Sequence, residues 1–330
     1  MKIFDSYKEV ITKAVANDPI AKFGLNNVTD FQLTENRNYL KGLNKQLPSI
    51  ELTNEAQLLM KGMGAPSTLS YPRLGNHPDF AYLRGTEETE EHWIISGFID
   101  VRGSTKLFNH FAKSTVKTIT ESIVRASIFA VNLNGGYVHR IQGDGLMVYF
   151  GGKEMDKKDA TKDALKAFSM ISYFVKNDLK EFFESNGIDD IHTRSGIDLG
   201  HSKQVEWFYS GVGDSGEVTT CSLHTSLAPK MQSKAHLDGI VVGQNIRNQI
   251  GKDKYFDKRS QPIHDYGDGR TYDHYNFNWQ MYLVDEGLAV QHANGALVLT
   301  MTTTPTPERV DSNLYNIASK NKPFLDGDKK

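Results

Sequence analysis

The spacing of apolar residues changes character at about residue 92. Before that point, an amphipathic stretch at Ile3–Val15 predicts a helix, and a turn-rich segment at Gly62–Pro78 follows. An acidic run at Glu87–Glu91 then forms a polar boundary. We interpret residues 1–90 as a helical and irregular N-terminal extension, without assigning them an independent fold.

After the boundary, the pattern predicts a strand, a long helix and a hairpin. Trp93–Asp100 is almost continuously apolar, which is typical of a buried strand. Ser104 is a good N-cap for a helix that would continue to about Asn132. Two apolar runs on either side of Gly143–Gly145 predict a β-hairpin, because an Asp-Gly pair tolerates the positive φ angles of tight turns.

Strands and helices continue to alternate in the second half of the chain. The further predicted elements are a helix at Lys157–Glu184, strands at Thr193–Leu199 and Glu206–Gly211, a helix at Ser222–Ala235, and strands at Gly239–Val242 and Tyr275–Val284. Alternation combined with adjacent hairpins favours an α+β sandwich over a doubly wound parallel sheet. We therefore predict one main domain at residues 91–290 and a flexible C-terminal tail at residues 291–330.

Composition narrows the possible partners. Hydrophobic residues make up 38% of the chain, charged residues 24%, and no apolar run is long enough to span a bilayer, so no membrane insertion is expected. A net charge of −2 gives little electrostatic support for nucleic-acid binding. The lone cysteine, Cys221, excludes an intrachain disulfide and is expected to be a small buried residue. The N-terminus has no signal-type core, so we expect a cytoplasmic protein.

The first candidate for chemistry is Asp100, in the sequence Phe-Ile-Asp-Val-Arg-Gly-Ser-Thr. An aspartate at the end of a buried strand, followed by Gly103 and Ser104 at a helix start, places a carboxylate beside free backbone amides. Mg²⁺ and Mn²⁺ prefer carboxylate oxygens and share their coordination with substrate phosphates. The alternative is that Asp100 serves only as a helix cap.

The second candidate is Asp144, at the tip of the predicted hairpin. Asp-Gly is a common turn pair, so Asp144 alone would be explained by turn formation. A strand end and a neighbouring hairpin tip in one sheet can, however, bring two carboxylates to one divalent-cation site. The pair is therefore more informative than either aspartate alone.

Together, the two motifs resemble those of the catalytic domain of class III nucleotide cyclases. Phe98–Thr105 is similar to the first family motif, and Arg140–Phe150 to the second. Thr193–Gly200 is similar to the strand and turn that follow, and the resemblance extends from about Trp93 to Val242. It implies a ferredoxin-like α+β sheet with helices packed on it, and a head-to-tail homodimer with two equivalent sites.

The resemblance also implies roles for individual residues. Asp100 and Asp144 would hold two divalent cations, Mn²⁺ or Mg²⁺, with the Val101 carbonyl as a further ligand. Phe98, Gly103 and Ser104 would contact the substrate, the last two at its phosphates. The ribose 3′-hydroxyl would then attack the α-phosphate of a nucleoside triphosphate and displace pyrophosphate.

The chain departs from the purine cyclases of this family at the base and at the transition state. Arg140 stands where those enzymes commonly have a lysine, so it becomes the first candidate for a base or phosphate contact. Thr220 falls near the position of their aspartate, while Ser226 and Lys230 fall at their Asn-Arg pair. Lys230 could neutralise the α-phosphate. The alternatives are a solvent-facing strand arginine at Arg140 and a solvated helix lysine at Lys230.

These departures most resemble the pyrimidine cyclases of bacterial Pycsar antiphage systems. That resemblance implies cyclic UMP or cyclic CMP as product, with UTP favoured over CTP as substrate, and a separate effector that binds the product. Two other functions stay open: an adenylate or guanylate cyclase with an altered base pocket, and a cyclase-like module that binds nucleotide without turnover.

Overall fold

The structure is a computed structural model that describes residues 3–45, 69, 71–188 and 191–299. Its helices surround one large sheet. Within the described residues the α-helices are α1 (Asp5–Ala16), α2 (Pro19–Phe23), α3 (Asp30–Asn44), α4 (Lys113–Leu133), α5 (Lys157–Tyr173), α6 (Lys180–Ser185), α7 (Leu223–Lys234), α8 (Gln244–Ile250) and α9 (Trp279–Asp285).

The strands form a large mixed sheet and several small ones. In chain order they are β1 (Thr89–Glu91), β2 (Ile94–Arg102), β3 (Tyr137–Gln142), β4 (Gly145–Phe150), β5 (His192–Gly200), β6 (Glu206–Val212), β7 (Ser215–Cys221), β8 (Gly239–Gly243), β9 (Phe256–Lys258), β10 (His264–Asp265), β11 (Thr271–Tyr272), β12 (His274–Phe277), β13 (Ala289–Gln291) and β14 (Leu297–Leu299). The seven-stranded sheet has the order β3-β4-β2-β5-β8-β12-β9, and β5–β8 is its parallel pair. Strands β1, β6 and β7 form a separate antiparallel sheet.

The two faces of β2 are used differently. Ile95, Ile99 and Val101 point into the main core, which is shared with α1, α4 and α5. The alternate residues Ile94 and Phe98 point to the other face and contact a second apolar cluster. That cluster also holds residues of β4, β6 and β7. The side-chain period of two thus separates the core face from a second face, on which polar groups can be placed.

The N-terminal helices are part of the main core. Phe4, the N-cap of α1, is fully buried, and its ring lies 4.6 Å from that of Phe174 and 6.5 Å from that of Phe129. The buried carboxylate of Asp18 caps α2 by accepting from Ala21 N, and it also accepts from Ala112 N at 2.9 Å, at the start of α4. Residues 3–45 therefore help to position α4. The division of the chain at residue 90 stays a prediction.

Several predicted elements differ in the structure. The helix expected from Ser104 to Asn132 is divided into a 3₁₀ helix at Ser104–Asn109 and α4, because Asp18 fixes the Ala112 amide as a separate helix start. Ser104 is the first residue of the 3₁₀ turn, and its N-cap is Gly103. The helix expected at Lys157–Glu184 contains a π-helical turn at Phe174–Asp178 between α5 and α6.

The C-terminal part also differs from expectation. The strand predicted at Tyr275–Val284 is a short strand followed by α9, whose N-cap Asn278 accepts a hydrogen bond from Met281 N. Cys221 is exposed at the end of β7, contrary to the expectation of burial. The predicted tail at residues 291–330 begins within the β13–β14 hairpin, and residues 300–330 lie outside the described part. No helix in the described ranges has both the length and the apolar character required to cross a bilayer.

Candidate active site

We call the face of the large sheet that carries Phe98 and Asp100 the functional face. Register across the sheet aligns Arg140 on β3, Met147 on β4 and Phe98 on β2 in one row. Neighbouring strands lie about 4.8 Å apart, so Arg140 is about 10 Å from Phe98 across the sheet. Asp100 is the next residue on this face of β2, opposite Arg194 on β5. The predicted residues Phe98, Asp100 and Arg140 therefore share one face.

Asp100 is held by two side chains of its own chain. Arg194 Nη2 donates to Asp100 Oδ2 at 2.9 Å, and Gln232 Nε2 on α7 donates to the same oxygen at 3.2 Å. The Asp100 side chain is 34% exposed. Because both hydrogen bonds fall on Oδ2, the other oxygen, Oδ1, is the one available to a cation.

Asp144 lies next to Asp100 because of Gly145. A Cβ added to Gly145 would meet the Ile99 carbonyl oxygen at 2.7 Å and the Asp100 Cα at 3.8 Å, so only glycine lets the hairpin tip approach β2 this closely. The two turn residues are Gly143 and Asp144, and the positive φ, 63°, is at Gly143 and not in the Asp144-Gly145 pair expected from the sequence. The structure thus places the hairpin tip that carries Asp144 beside the end of β2 that carries Asp100.

The donor set fits a divalent cation shared with a substrate. Within the described ranges, no three His, Cys, Asp or Glu side chains converge on a common point. A cation here would be held by Asp100, Asp144 and the Val101 carbonyl, with the remaining positions filled by phosphate and water. Mg²⁺ and Mn²⁺ are commonly bound in this way, through one or two carboxylates.

The predicted phosphate contacts follow directly on β2. Gly103 has φ +88°, a left-handed conformation that glycine adopts without strain, and it turns the chain into the 3₁₀ helix that begins at Ser104. Because the first amides of a helix lack intrahelical partners, Gly103 and Ser104 place N–H donors within a few residues of Asp100.

Arg140 reaches the functional face through a β-bulge. Val138 pairs with Val148, but Arg140 pairs with Met147, so His139 is the extra residue. Without the bulge, Arg140 would lie on the core face with Val138. Its Nε donates to Glu217 Oε2 on β7 at 2.7 Å, and its Nη2 pairs with Glu217 Oε1. Arg140 is therefore a paired arginine at the edge of the functional face, which disfavours a purely solvent-facing role.

Thr220 belongs to a chain of hydroxyl groups. Its Oγ1 lies 3.2 Å from the Tyr149 hydroxyl and 2.9 Å from Thr225 Oγ1. Thr225 Oγ1 lies 2.8 Å from Ser96 Oγ on β2. The chain connects β7, α7 and the sheet, so Thr220 has a positioning role in addition to the substrate contact predicted for it.

Ser226 and Lys230 lie on the outer side of α7. The inner side packs closely on β5, since a Cβ on Gly196 would lie 2.1 Å from the Ala228 carbonyl oxygen and 2.3 Å from Gln232 N. Ser226 and Lys230 are four residues apart and exposed. Lys230 precedes Gln232 by two residues, about 200° around the helix, so it points away from the Asp100 of its own chain.

The start of α7 is fixed by a buried polar group. Asp198 on β5 is fully buried and accepts from Tyr272 OH at 2.7 Å, and its Oδ2 lies 2.8 Å from His224 Nδ1. Burial raises the pKa of Asp198, and contact with His224 opposes this. The network anchors the helix that carries Gln232 and Lys230.

Two buried histidines, His77 and His139, lie against aromatic residues of the second apolar cluster. Burial lowers the pKa of His77 to about 4, and burial together with the positive charge of Arg140 lowers the pKa of His139 to about 3. The unfolded chain binds these protons near pH 6.5. The two neutral, buried histidines therefore contribute fully to the stability of the folded state above pH 6.5. This contribution is lost as the pH falls towards 4.

We expect acidification to destabilise the protein through these histidines. Between pH 6.5 and 5, each would reduce the free energy of unfolding by up to about 2 kcal/mol. Neither ring nitrogen of His139 has a hydrogen-bond partner in the described part of the chain. His139→Leu should then keep its stability at pH 7.5 and show a shallower decline in urea unfolding at pH 6.5, 5.5 and 5.0. An unchanged pH dependence in this variant would contradict the assignment.

Sequence reasoning did not identify Arg194, Gln232 or Glu217. Arg194 lies in Thr193–Gly200, the segment similar to the strand that follows the two family motifs. Because side chains of a strand alternate between its two faces, this segment is the signal that could have identified Arg194. Glu217 meets Arg140 across 77 positions of sequence, and Gln232 meets Asp100 across 132. No local pattern signals such pairs.

The chain is similar to curated cytidylate cyclases. One from Staphylococcus aureus is 35% identical over 234 residues, which is 70% of this chain and 53% of that protein. One from Escherichia coli is 32% identical over 201 residues, covering 58% of this chain and 42% of that protein. The chain therefore spans about half the length of these relatives. No family model matches.

The fold is also found among solved structures. The adenylyl cyclase CyaB from P. aeruginosa superimposes with a TM-score of 0.50 at 20% identity, covering 58% of this chain and 95% of that one. This likeness concerns the fold alone, and it confirms the predicted α+β, class III cyclase-type architecture. By sequence the chain is similar to cytidylate cyclases, and its fold is that of the class III nucleotide cyclases.

Proposed function

We propose that the chain converts CTP to 3′,5′-cyclic CMP and pyrophosphate. The close approach of the hairpin tip that carries Asp144 to the end of β2 that carries Asp100, made possible by Gly145, is the observation that carries the proposal. The name shared by the relatives supports CTP over UTP, which the sequence had favoured. The four open outcomes are therefore a cytidylate cyclase, a uridylate cyclase, a purine cyclase and a nucleotide-binding module without turnover.

In this reaction, the 3′-hydroxyl loses its proton to solvent and its oxygen forms a bond to the α-phosphorus. The bond from that phosphorus to the bridging oxygen breaks, and pyrophosphate leaves. Divalent cations, Mn²⁺ or Mg²⁺, would acidify the 3′-hydroxyl and neutralise the triphosphate. Asp100 and Asp144 would hold them, and the hydrogen bonds from Arg194 and Gln232 fix the Asp100 carboxylate. The Gly103 and Ser104 amides bind phosphate oxygens.

The remaining groups would come from a second copy of the chain. Lys230 points away from its own Asp100, so it can neutralise an α-phosphate only at a site formed with a partner. This supports the head-to-tail homodimer implied by the family resemblance. Arg140 would contact the base, and Ser226 and Thr220 would line the same half of the site.

We further propose that the product acts as a second messenger in antiphage defence, by binding a separate effector protein. This proposal rests on the resemblance to Pycsar pyrimidine cyclases. The motifs at Asp100 and Asp144 are the part of the chain that carries this resemblance.

The test is to incubate the purified chain with Mn²⁺ and ATP, GTP, UTP or CTP separately, and to identify products by mass. We expect cyclic CMP as the main product. Cyclic UMP would keep the pyrimidine proposal and change the base. A cyclic purine would retain the chemistry and overturn the specificity, and no product from any of the four would favour the nucleotide-binding module.

A further inference from the structure

The Glu217 side chain is held in place by two different parts of the chain. Gly75 lies between β3 and β7, where its amide donates to the His139 carbonyl and its carbonyl accepts from Val218 N, both at 2.9 Å. A Cβ on Gly75 would lie 3.0 Å from the Glu217 Cβ. This segment therefore packs closely against Glu217 on one side, and Arg140 holds the carboxylate at its other end.

Among the residues that the structure describes, Arg140 is the charged partner that balances Glu217. His139 Nε2 lies 3.5 Å from Glu217 Oε2, but His139 is fully buried and its pKa is lowered to about 3, so it is neutral near pH 7. The side chains of Arg140 and Glu217 are 40% and 23% exposed. Both side chains are therefore partly accessible to solvent and to a ligand.

The pair presents a mixed hydrogen-bonding edge. Arg140 uses Nε and Nη2 to bind Glu217, which leaves N–H groups on Nη1 and Nη2 as donors. Each carboxylate oxygen of Glu217 can accept a further hydrogen bond. Donors and acceptors thus lie side by side, in fixed order.

We propose that Glu217 determines the choice of base, by accepting a hydrogen bond from the 4-amino group of cytosine while Arg140 donates to N3 and O2. Glutamate is a suitable acceptor for this amino group. Uracil carries an oxygen at position 4 and a hydrogen on N3. Its O4 would therefore face the Glu217 carboxylate, acceptor against acceptor, and its N3–H would face the Arg140 guanidinium, donor against donor. The inference rests on the proposed cyclase function and assigns its substrate preference to a pair of side chains.

The test compares kcat/KM for CTP and UTP in Glu217→Gln. Glutamine keeps the shape and can either accept from an amino group or donate to a carbonyl oxygen, so we expect the CTP preference to fall at least about 10-fold. Glu206→Gln, on the neighbouring strand β6, is the matched control and should keep the preference. If Glu217 only supported the fold, the substitution would lower kcat/KM for CTP and for UTP by the same factor. The ratio of the two kcat/KM values would then stay unchanged.

A second variant guards against loss of folding. Glu217→Asp keeps the carboxylate acceptor but shortens the side chain by one methylene. We therefore expect a lower kcat/KM for CTP, with the preference for CTP over UTP retained. If both variants keep the wild-type ratio, the inference is overturned and the cytidylate cyclase proposal stands. If the wild type prefers UTP, both the inference and the choice of CTP are overturned, and only the pyrimidine cyclase activity stands. If the wild type cyclises no pyrimidine nucleotide, the proposed function itself fails.

Discussion

Asp144→Asn should lower kcat for cyclisation by on the order of 10³-fold or more, because an amide is a poor ligand for a hard divalent cation. Asp144 is the better of the two aspartates to change. In the described part of the chain its carboxylate makes no hydrogen bond or ion pair, whereas Asp100 pairs with Arg194 and Gln232. The measurement is initial rate against CTP and Mn²⁺ concentration, with thermal unfolding of both proteins as the check on folding.

Asp100 provides the contrast. Asp100→Ala would leave the Arg194 guanidinium, whose side chain is 15% exposed, without its carboxylate, so both activity and stability should fall. Asp144→Asn should lose activity at unchanged stability. Substantial turnover by Asp144→Asn at saturating Mn²⁺ would show that the cation is held elsewhere, and the assignment of this site would have to be abandoned.

The strands that carry the aspartates were predictable because their local signals agree with the fold. The apolar run ending at Asp100 is a buried central strand, and the hairpin signal at Gly143–Gly145 matches a two-residue turn. By contrast, β7 was missed, since it is polar and buries only Val218. Its backbone pairing with β6 makes it a strand, and that pairing depends on tertiary context.

Only the residues of the candidate site that lie within the two family-like motifs could be predicted from the sequence. The two aspartates share a sheet end, and this follows from strand order. The orientation of Arg140 does not follow, because one extra residue at His139 decides which face it occupies. The interruption at Ala112 has a similar origin, since the amide that starts α4 is held by Asp18, 94 positions earlier. Both features depend on contacts that no local window contains.

Mixing two inactive variants should restore activity if the site is shared between two chains. Lys230→Ala is expected to lower kcat on the order of 10²-fold or more, by removing charge that offsets the α-phosphate in the transition state. Asp144→Asn removes the cation ligand from the other half. In a head-to-tail heterodimer of the two variants, one site carries both changes and the other carries neither.

The size of the recovery can be worked out in advance. If subunits exchange at random, half of the dimers are heterodimers, so about a quarter of all sites are intact and about a quarter of wild-type activity should return. A variant carrying both changes is the control, since mixing it with Asp144→Asn cannot rebuild a site. No recovery after verified subunit exchange would place Lys230 and Asp144 in the same chain's site. The outward direction of Lys230 on α7 argues against that result, because Gln232 on the opposite side of the helix is the residue that reaches Asp100.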